Sequence, residues 1–227
     1  MADDDSNLAK LFDNVRKRKA NALSASDSDA PGVAPKRYAP VEEDYVVGIV
    51  EDRGAEAYRV DLLGASVPGN LGALAFDGAT KRNRPQLAIG DAVFCRVERT
   101  TRGGEAQLSC CATRGSKKEW MTGAATFGKL AAGAACAVAS VSPAFARRLL
   151  ARDAPVLAAL GKHVKYEVAI GHNGAVWIRS GNTLDTIIVS NAVENAEHLD
   201  EAQVAPMVDQ IVAGMHARTT LLVHGLS

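Results

Sequence analysis

The chain has 227 residues, with 26 Lys and Arg balanced by 26 Asp and Glu. That length allows one large domain or two small ones, each able to bury a core of its own. A balanced charge excludes a uniformly basic nucleic-acid binder without excluding a local basic patch, and 5% aromatic residues argue against a broad stacking platform.

Residues 1–37 are dominated by Asp, Ser, Ala and Lys/Arg, and Ser24-Ala-Ser-Asp-Ser-Asp-Ala-Pro-Gly has the composition of a solvated tail. Within it Leu8, Leu11, Phe12 and Val15 fall on one helical stripe ahead of Arg16-Lys17-Arg18-Lys19. That segment reads as a docking peptide, a nuclear-import cluster, an RNA-attracting arm or plain exposed charge. The start Met1-Ala-Asp-Asp-Asp has no apolar region of the kind a secretory signal carries.

From Tyr45 the pattern changes. Tyr45 to Val50 is apolar at both parities and predicts a strand buried on two faces. Arg53-Gly54 turns the chain into a second strand, Ala57 to Leu63. Ser66 to Phe76 is a third, with glycines of the kind a barrel corner needs. Ala92 to Val97, opened by Gly90-Asp91, and Ala106 to Cys110, after Arg102-Gly103-Gly104, complete five short strands. Five strands with one longer connection before the fourth fit an OB-type barrel, though another small all-β barrel would show a similar pattern. The barrel is expected over 38–112, with a polar connector at 113–132 carrying Lys117-Lys118 and Trp120.

The second half, 133–216, mixes periods. Ala135 to Ser140 reads as a strand. Ser142-Pro143 is a capped helix start, with Phe145, Leu149 and Leu150 at helical spacing. Pro155 opens a second short helix that Gly161 closes. Val164 to Ile170 alternates, and Asn173-Gly174, a two-residue hairpin signal, joins it to a strand over Ala175 to Ile178. Thr183 begins a third helix, and Asp200 to His216 a last one, with Val204, Val208, Ile211, Val212 and Met215 on its apolar stripe. Strand, helix, helix, strand, strand, helix is the element order of a type I KH-like α/β module, here with an extra helix and a tail over 217–227.

Reactive chemistry is hard to place on this chain. It lacks GxSxG, Walker, HExxH and dinucleotide motifs. Its five histidines are scattered, and its paired acids Glu42-Glu43 and Asp3-Asp4-Asp5 fall in loops or the tail. Cys95, Cys110, Cys111 and Cys136 have no ligand spacing and read as reduced, mostly buried thiols of an intracellular protein. No metal or cofactor is expected. The absence of an apolar run of about 18 residues predicts no membrane span.

Basic residues are the stronger signal. Lys81, Arg82 and Arg84 share the loop Gly78-Ala-Thr-Lys-Arg-Asn-Arg-Pro85, and Arg96, Arg99 and Arg102 follow. The candidate RNA contacts are Lys81, Arg82, Arg84, Arg99 and Arg102, with Tyr58 and Phe76 as nearby aromatics that could stack on bases or fill the core. Protein docking is the competing reading of the loop. A KH module clamps RNA with a GXXG loop, but the first helix junction here is Ala151-Arg-Asp-Ala-Pro155, without glycine. The available Gly-x-x-Gly, Gly171-His172-Asn173-Gly174, lies between two strands. It reads as an architectural turn through Gly171, Asn173 and Gly174, with Trp177 as a packing anchor; RNA clamping is its alternative.

Lys36-Arg-Tyr-Ala-Pro40, Asp44-Tyr-Val-Val-Gly-Ile-Val50, the Gly78–Pro85 loop, and Gly171-His-Asn-Gly174 followed by Val176-Trp-Ile178 resemble the S1/KH cap subunits of the eukaryotic RNA exosome. The likeness covers roughly residues 36–200. It implies an S1-type barrel followed by a KH-like domain in a non-catalytic cap subunit. Such a subunit stabilises a ring of RNase PH-like proteins beside the other cap subunits and guides single-stranded RNA into the channel for 3′→5′ degradation and rRNA processing. It also implies a nuclear and nucleolar, as well as cytoplasmic, location, and a structural role for the GxNG element at the S1–KH contact. The alternatives are a sister cap subunit or a free-standing ribonuclease. Family members usually begin with a small β-rich domain that grips the ring. Residues 1–35 have too few β-formers to supply it, so either it is lost or Leu8–Val15 docks in its place.

Overall fold

The computed structural model describes residues 38–100, 104–112, 120–122 and 125–224. The expectations for the tail, for Arg102 and for Lys117-Lys118 lie outside the described residues.

The first half is a closed barrel of five strands: β1 (Tyr45–Arg53), β2 (Ala57–Asp61), β3 (Gly69–Phe76), β4 (Ala92–Arg99) and β5 (Ala106–Cys110). The order is β1-β2-β3-β5-β4, and β4 closes back onto β1. All neighbours are antiparallel except β3 and β5, which run parallel through Gly69↔Ala106 and Leu71↔Leu108. This is the OB-type closure, in which each of the five strands has a neighbour on both sides, although β2 pairs with β1 only from Ile49 onward. Expected and observed strands agree except at their ends. β2 stops at Asp61 rather than Leu63, β3 starts at Gly69 rather than Ser66, and β4 runs on to Arg99.

Val46, Val50, Val60, Leu62, Leu71, Val93, Val97 and Leu108 fill the barrel with Cys95 and Cys110. No disulfide joins the four cysteines. Burial and the neighbouring Cys95 thiol push the Cys110 thiol well up, which keeps it protonated. Before the barrel, Tyr38 is buried, bridges to Ala65 and donates its hydroxyl to Asp44 Oδ2 at 2.7 Å. A short strand, β6 (Gly128–Lys129), pairs with β4.

The second half has a three-stranded antiparallel sheet, β7 (Cys136–Ser140), β8 (Tyr166–Ile170) and β9 (Ala175–Ser180), in the order β7-β9-β8. Helices α1 (Pro143–Leu149), α2 (Pro155–Leu160), α3 (Thr183–Ala196) and α4 (Glu201–His224) accompany it. Ser142 caps α1 as its sequence predicts, accepting from Phe145 N–H at 3.2 Å. Asn182 does the same for α3, accepting from Asp185 N–H at 2.8 Å. α4 runs past the expected His216 to His224 and accommodates Pro206 in its second turn. Pro206 lies beyond the four unpartnered N–H groups of the helix start, so the helix forgoes the bond that position would give to the Ala202 carbonyl.

The central strand β9 explains why Ala175-Val-Trp-Ile178 is a continuous apolar run. Val176 and Ile178 face the helices and their core of Leu149, Leu160, Ile188 and Val208. Ala175 and Trp177 face the other way and pack with Val47 of β1, Phe94 of β4 and Leu130. A strand covered on both sides has no polar parity.

One charged contact ties the barrel's lower rim together. Asp91 accepts from Lys129 Nζ at 2.6 Å and from Ala88 N–H at 2.7 Å. Burial pushes its carboxyl up, but the Lys129 ammonium and the Ala88 N–H outweigh that and hold it below the ordinary value. A depressed folded-state pKa contributes stability above the unfolded value and loses it as pH falls through the folded one. Lys129→Met is therefore expected to reduce the acid-side loss of stability attributable to Asp91, read as a flatter denaturation midpoint against pH below about pH 4.

Candidate nucleic-acid loop and interdomain seat

The hairpin between β8 and β9 is the point at which the two halves meet. Gly171 N–H donates to Ala175 O at 2.9 Å, and Gly174 N–H to Gly171 O at 3.0 Å. The loop proper is therefore His172-Asn173-Gly174, three residues with Gly174 at φ +84°, rather than a two-residue Asn173-Gly174 turn. A turn followed by a left-handed glycine is the usual three-residue hairpin solution.

This loop fits a gap in the barrel. β4 covers one edge of β1 from Tyr45 to Ile49, but β2 covers the other only from Ile49 onward. The backbone groups of buried Val47 on that edge would lack partners, and those of the more exposed Tyr45 would be left to solvent. His172 N–H donates to Tyr45 O at 2.7 Å, and Tyr45 N–H donates to His172 Nδ1 at 3.1 Å. Asn173, 4% exposed, does the rest: Oδ1 accepts from Val47 N–H at 3.3 Å, and Nδ2 donates to Val47 O at 2.8 Å and Leu62 O at 2.7 Å. A side-chain amide thus replaces the residue that β2 does not supply.

The glycines are sterically required here. A Cβ on Gly171 would overlap Asn173 Oδ1 and lie 2.7 Å from Val47 N, and one on Gly174 would strike Val141 O. Trp177, 5% exposed, packs beside the seat. The four residues read from sequence as the GxNG element are therefore brought together.

The basic residues are dispersed by the fold. Lys81 and Arg82 are exposed at the tip of a turn closed by Thr80 N–H to Asn83 O at 2.8 Å and Asn83 N–H to Thr80 O at 3.1 Å. Neither pairs with a carboxylate among the described residues. Arg84 is half-buried and donates to Ala55 O at 3.0 Å, bracing the loop on the β1–β2 turn. Arg53 returns the brace by donating to Gln86 Oε1.

Arg99 is exposed but sits at the far end of β4, about 25 Å of strand from the loop. Arg96 is 5% exposed and paired with Glu43, so it adds no free charge. Lys81 and Arg82 do not share one patch with Arg99, because β4 spans the whole barrel between them.

The aromatic expectation is corrected. Tyr58 and Phe76 are each 3% exposed within the barrel core, and Tyr58 spends its hydroxyl on Pro85 O at 2.9 Å. Neither ring stands out as a stacking platform, and Phe76 only lines the floor of a cleft at the root of the loop. The residue that does reach the loop is Trp120, in a 3₁₀ turn (Trp120–Thr122) held by Trp120 N–H to Asp77 O at 3.1 Å. Its neighbour Met121 is 57% exposed and accepts at Sδ from Asn83 Nδ2 at 2.9 Å. Nothing in the polar connector signalled that the chain doubles back to the loop.

Two other surfaces bear on nucleic acid. OB folds usually bind oligonucleotides on the β2–β3 face. Here Arg59 on that face lies between Glu51 at 3.6 Å and Glu105 at 3.5 Å, and Asn70 donates to Glu105 at 3.3 Å. Two carboxylates against one guanidinium make that face unattractive to phosphate. At the α1–α2 junction, where a KH module would place its clamp, Arg148 pairs with Glu201 at 3.7 Å, and Phe145, Leu149 and Val204 line a cavity of about 160 Å³. The start of α4 occupies one wall of that junction.

Comparison with known proteins places this geometry. Residues 38–121 match the family model described as exosome complex component RRP40, S1 domain, and 137–184 match a KH domain model. An rrp40 exosome complex component of Dictyostelium discoideum is 38% identical over 173 residues, covering 76% of this chain and 68% of the relative. The fission yeast exosome complex component rrp40 is 36% identical over 178 residues, covering 78% and 70%. A crystal structure described as an exosome complex RNA-binding protein superimposes with a TM-score of 0.57 over 82% of this chain and 98% of that one, at 18% identity. That last likeness speaks for the fold.

The seat yields a test. Asn173→Ala leaves two carbonyls and one N–H buried without partners, at about 1–3 kcal/mol each before relaxation. A loss of about 3 kcal/mol or more is expected in urea denaturation, against under about 1 kcal/mol for His172→Ala, whose side chain is part-exposed.

Proposed function

The chain belongs to the RRP40 family of exosome complex components, and from that premise we propose that it is a non-catalytic, RNA-binding cap subunit. Its barrel would present Lys81 and Arg82 to single-stranded RNA entering the channel for 3′→5′ degradation and rRNA processing. Its partners would be the RNase PH-like ring subunits and the other cap subunits, and its location the nucleus and nucleolus as well as the cytoplasm. The barrel's family model and both relatives carry the RRP40 description, which favours this subunit over a sister cap subunit.

The observation that carries the RNA reading is the braced loop. Arg84, Arg53 and Tyr58 fix its stem, so two uncompensated cations are held out at low entropic cost. Guanidinium and ammonium groups so placed neutralise phosphates without reading sequence. The acidic pairing around Arg59 turns RNA away from the customary OB face and toward this end of the barrel. The GHNG hairpin is assigned a structural role, because Asn173 has already committed its amide to Val47 and Leu62. Arg99 and Arg102 remain secondary candidates: the first faces a different end, and the second lies outside the described residues.

Single-strand binding loses affinity with salt at a slope of about 0.7 per neutralised phosphate. In the assembled complex, Lys81→Ala and Arg82→Ala are each expected to lower that slope by about 0.7, with the fold unchanged. An unchanged slope in both would assign the loop to protein docking. RNA turnover by the purified chain alone would revive the ribonuclease alternative.

A further inference from the structure

We propose that the cleft at the root of the basic loop is a binding site for one pyrimidine base of single-stranded RNA, with Trp120 as its stacking wall. The inference rests on the reading that the loop meets RNA. The cleft measures about 170 Å³ and is lined by Phe76, Pro85, Gln86, Trp120, Phe127 and Lys129. A cavity of about 150 Å³ accommodates a benzene ring, so a six-membered base fits and a purine is crowded.

Each wall has a defined job. Phe76 and Phe127 form a buried apolar floor, 3% and 9% exposed. Trp120 is only partly covered and packs against the barrel core from outside, which leaves indole surface for a flat partner. Gln86 is exposed at the rim. Its Oε1 accepts from Arg53, which fixes the amide, while its NH₂ donors engage nothing among the described residues. Those donors suit the ring carbonyls of uracil or cytosine. Lys129 is already compensated by Asp91, so the cleft itself carries no free charge and favours a neutral ring.

The placement joins this cleft to the cationic tip. Pro85 lines the cleft and directly follows Arg84, so a strand whose phosphate rests on Lys81 or Arg82 passes the opening within the same loop. Single-strand binders combine these two elements, phosphate-tracking charge and an aromatic face that takes a base.

The test compares a short uridine oligoribonucleotide with one of equal length carrying abasic riboses, titrated into the full-length chain at several salt concentrations. The uridine strand is expected to bind about tenfold more tightly. Trp120→Ala should remove that advantage, leave the salt slope unchanged, and not weaken the abasic strand further. Trp120→Phe should restore most of it. Tryptophan fluorescence should change with the uridine strand and not with the abasic one, since Trp177 is enclosed between the two halves. This second readout stands even if the alanine variant fails to fold.

Equal affinity for the two strands, an equal loss on both with Trp120→Ala, or a fluorescence response to protein partners but not to RNA would overturn the base site. The loop reading is scored separately. If the Lys81 and Arg82 variants lose their slope while the two strands bind alike, the phosphate track stands and the base site falls.

Discussion

The arrangement of this protein depends on a side-chain amide completing a β-edge. Backbone N–H and C=O groups buried at the join between two domains must be paired, and a barrel strand that outruns its neighbour leaves several exposed to that requirement. β1 outruns β2 by Tyr45 to Gly48. The hairpin loop of the second domain arrives at that gap and closes it with His172 and Asn173. Apolar contact around Trp177 and Val47 adds area, but area is non-directional. The hydrogen bonds set the angle and register at which the domains meet.

That constraint gives the Gly-x-x-Gly spacing its meaning in this chain. A KH-type clamp needs glycines so that backbone can approach phosphate. Here they serve approach of another kind, with Gly171 against Val47 N and Gly174 against Val141 O. The place a clamp would occupy is instead a junction walled by α4 and the Arg148–Glu201 pair. The second domain thus braces the barrel, and the proposed RNA surface is the end of the barrel where Arg84 and Tyr58 stiffen the long loop.

Much of the fold was legible in the residues, for physical reasons. Proline after a hydroxyl cap, apolar runs without polar parity and a β-type alternation split by Asn173-Gly174 are local signals, and local signals survive into the fold. Strand ends were less legible, since pairing partners rather than propensity decide where a strand stops. The candidate site was legible only in part. Lys81 and Arg82 could be read as exposed because loop position predicts exposure. Arg96 could not be separated from them, because its burial beside Glu43 depends on a contact 53 residues away. Tyr58 and Phe76 were left between stacking and core because alternation does not say which parity faces inward in a small barrel. Trp120 was legible as a connector residue but not as a neighbour of the loop, because that approach rests on long-range contacts of its turn with Asp77 and Asn83.

The three-residue hairpin that seats in β1 has an evolutionary corollary. Relative domain orientation is encoded in a segment that belongs to the second domain and hydrogen-bonds only main-chain atoms of the first, with the His172 ring edge-on to Tyr45 beside them. Substitutions along β1 that keep the Val47 and Tyr45 contacts and the strand's course can therefore leave the angle undisturbed. A chimaera joining this barrel to a foreign module would inherit the native geometry only if the graft brought its own amide-bearing loop.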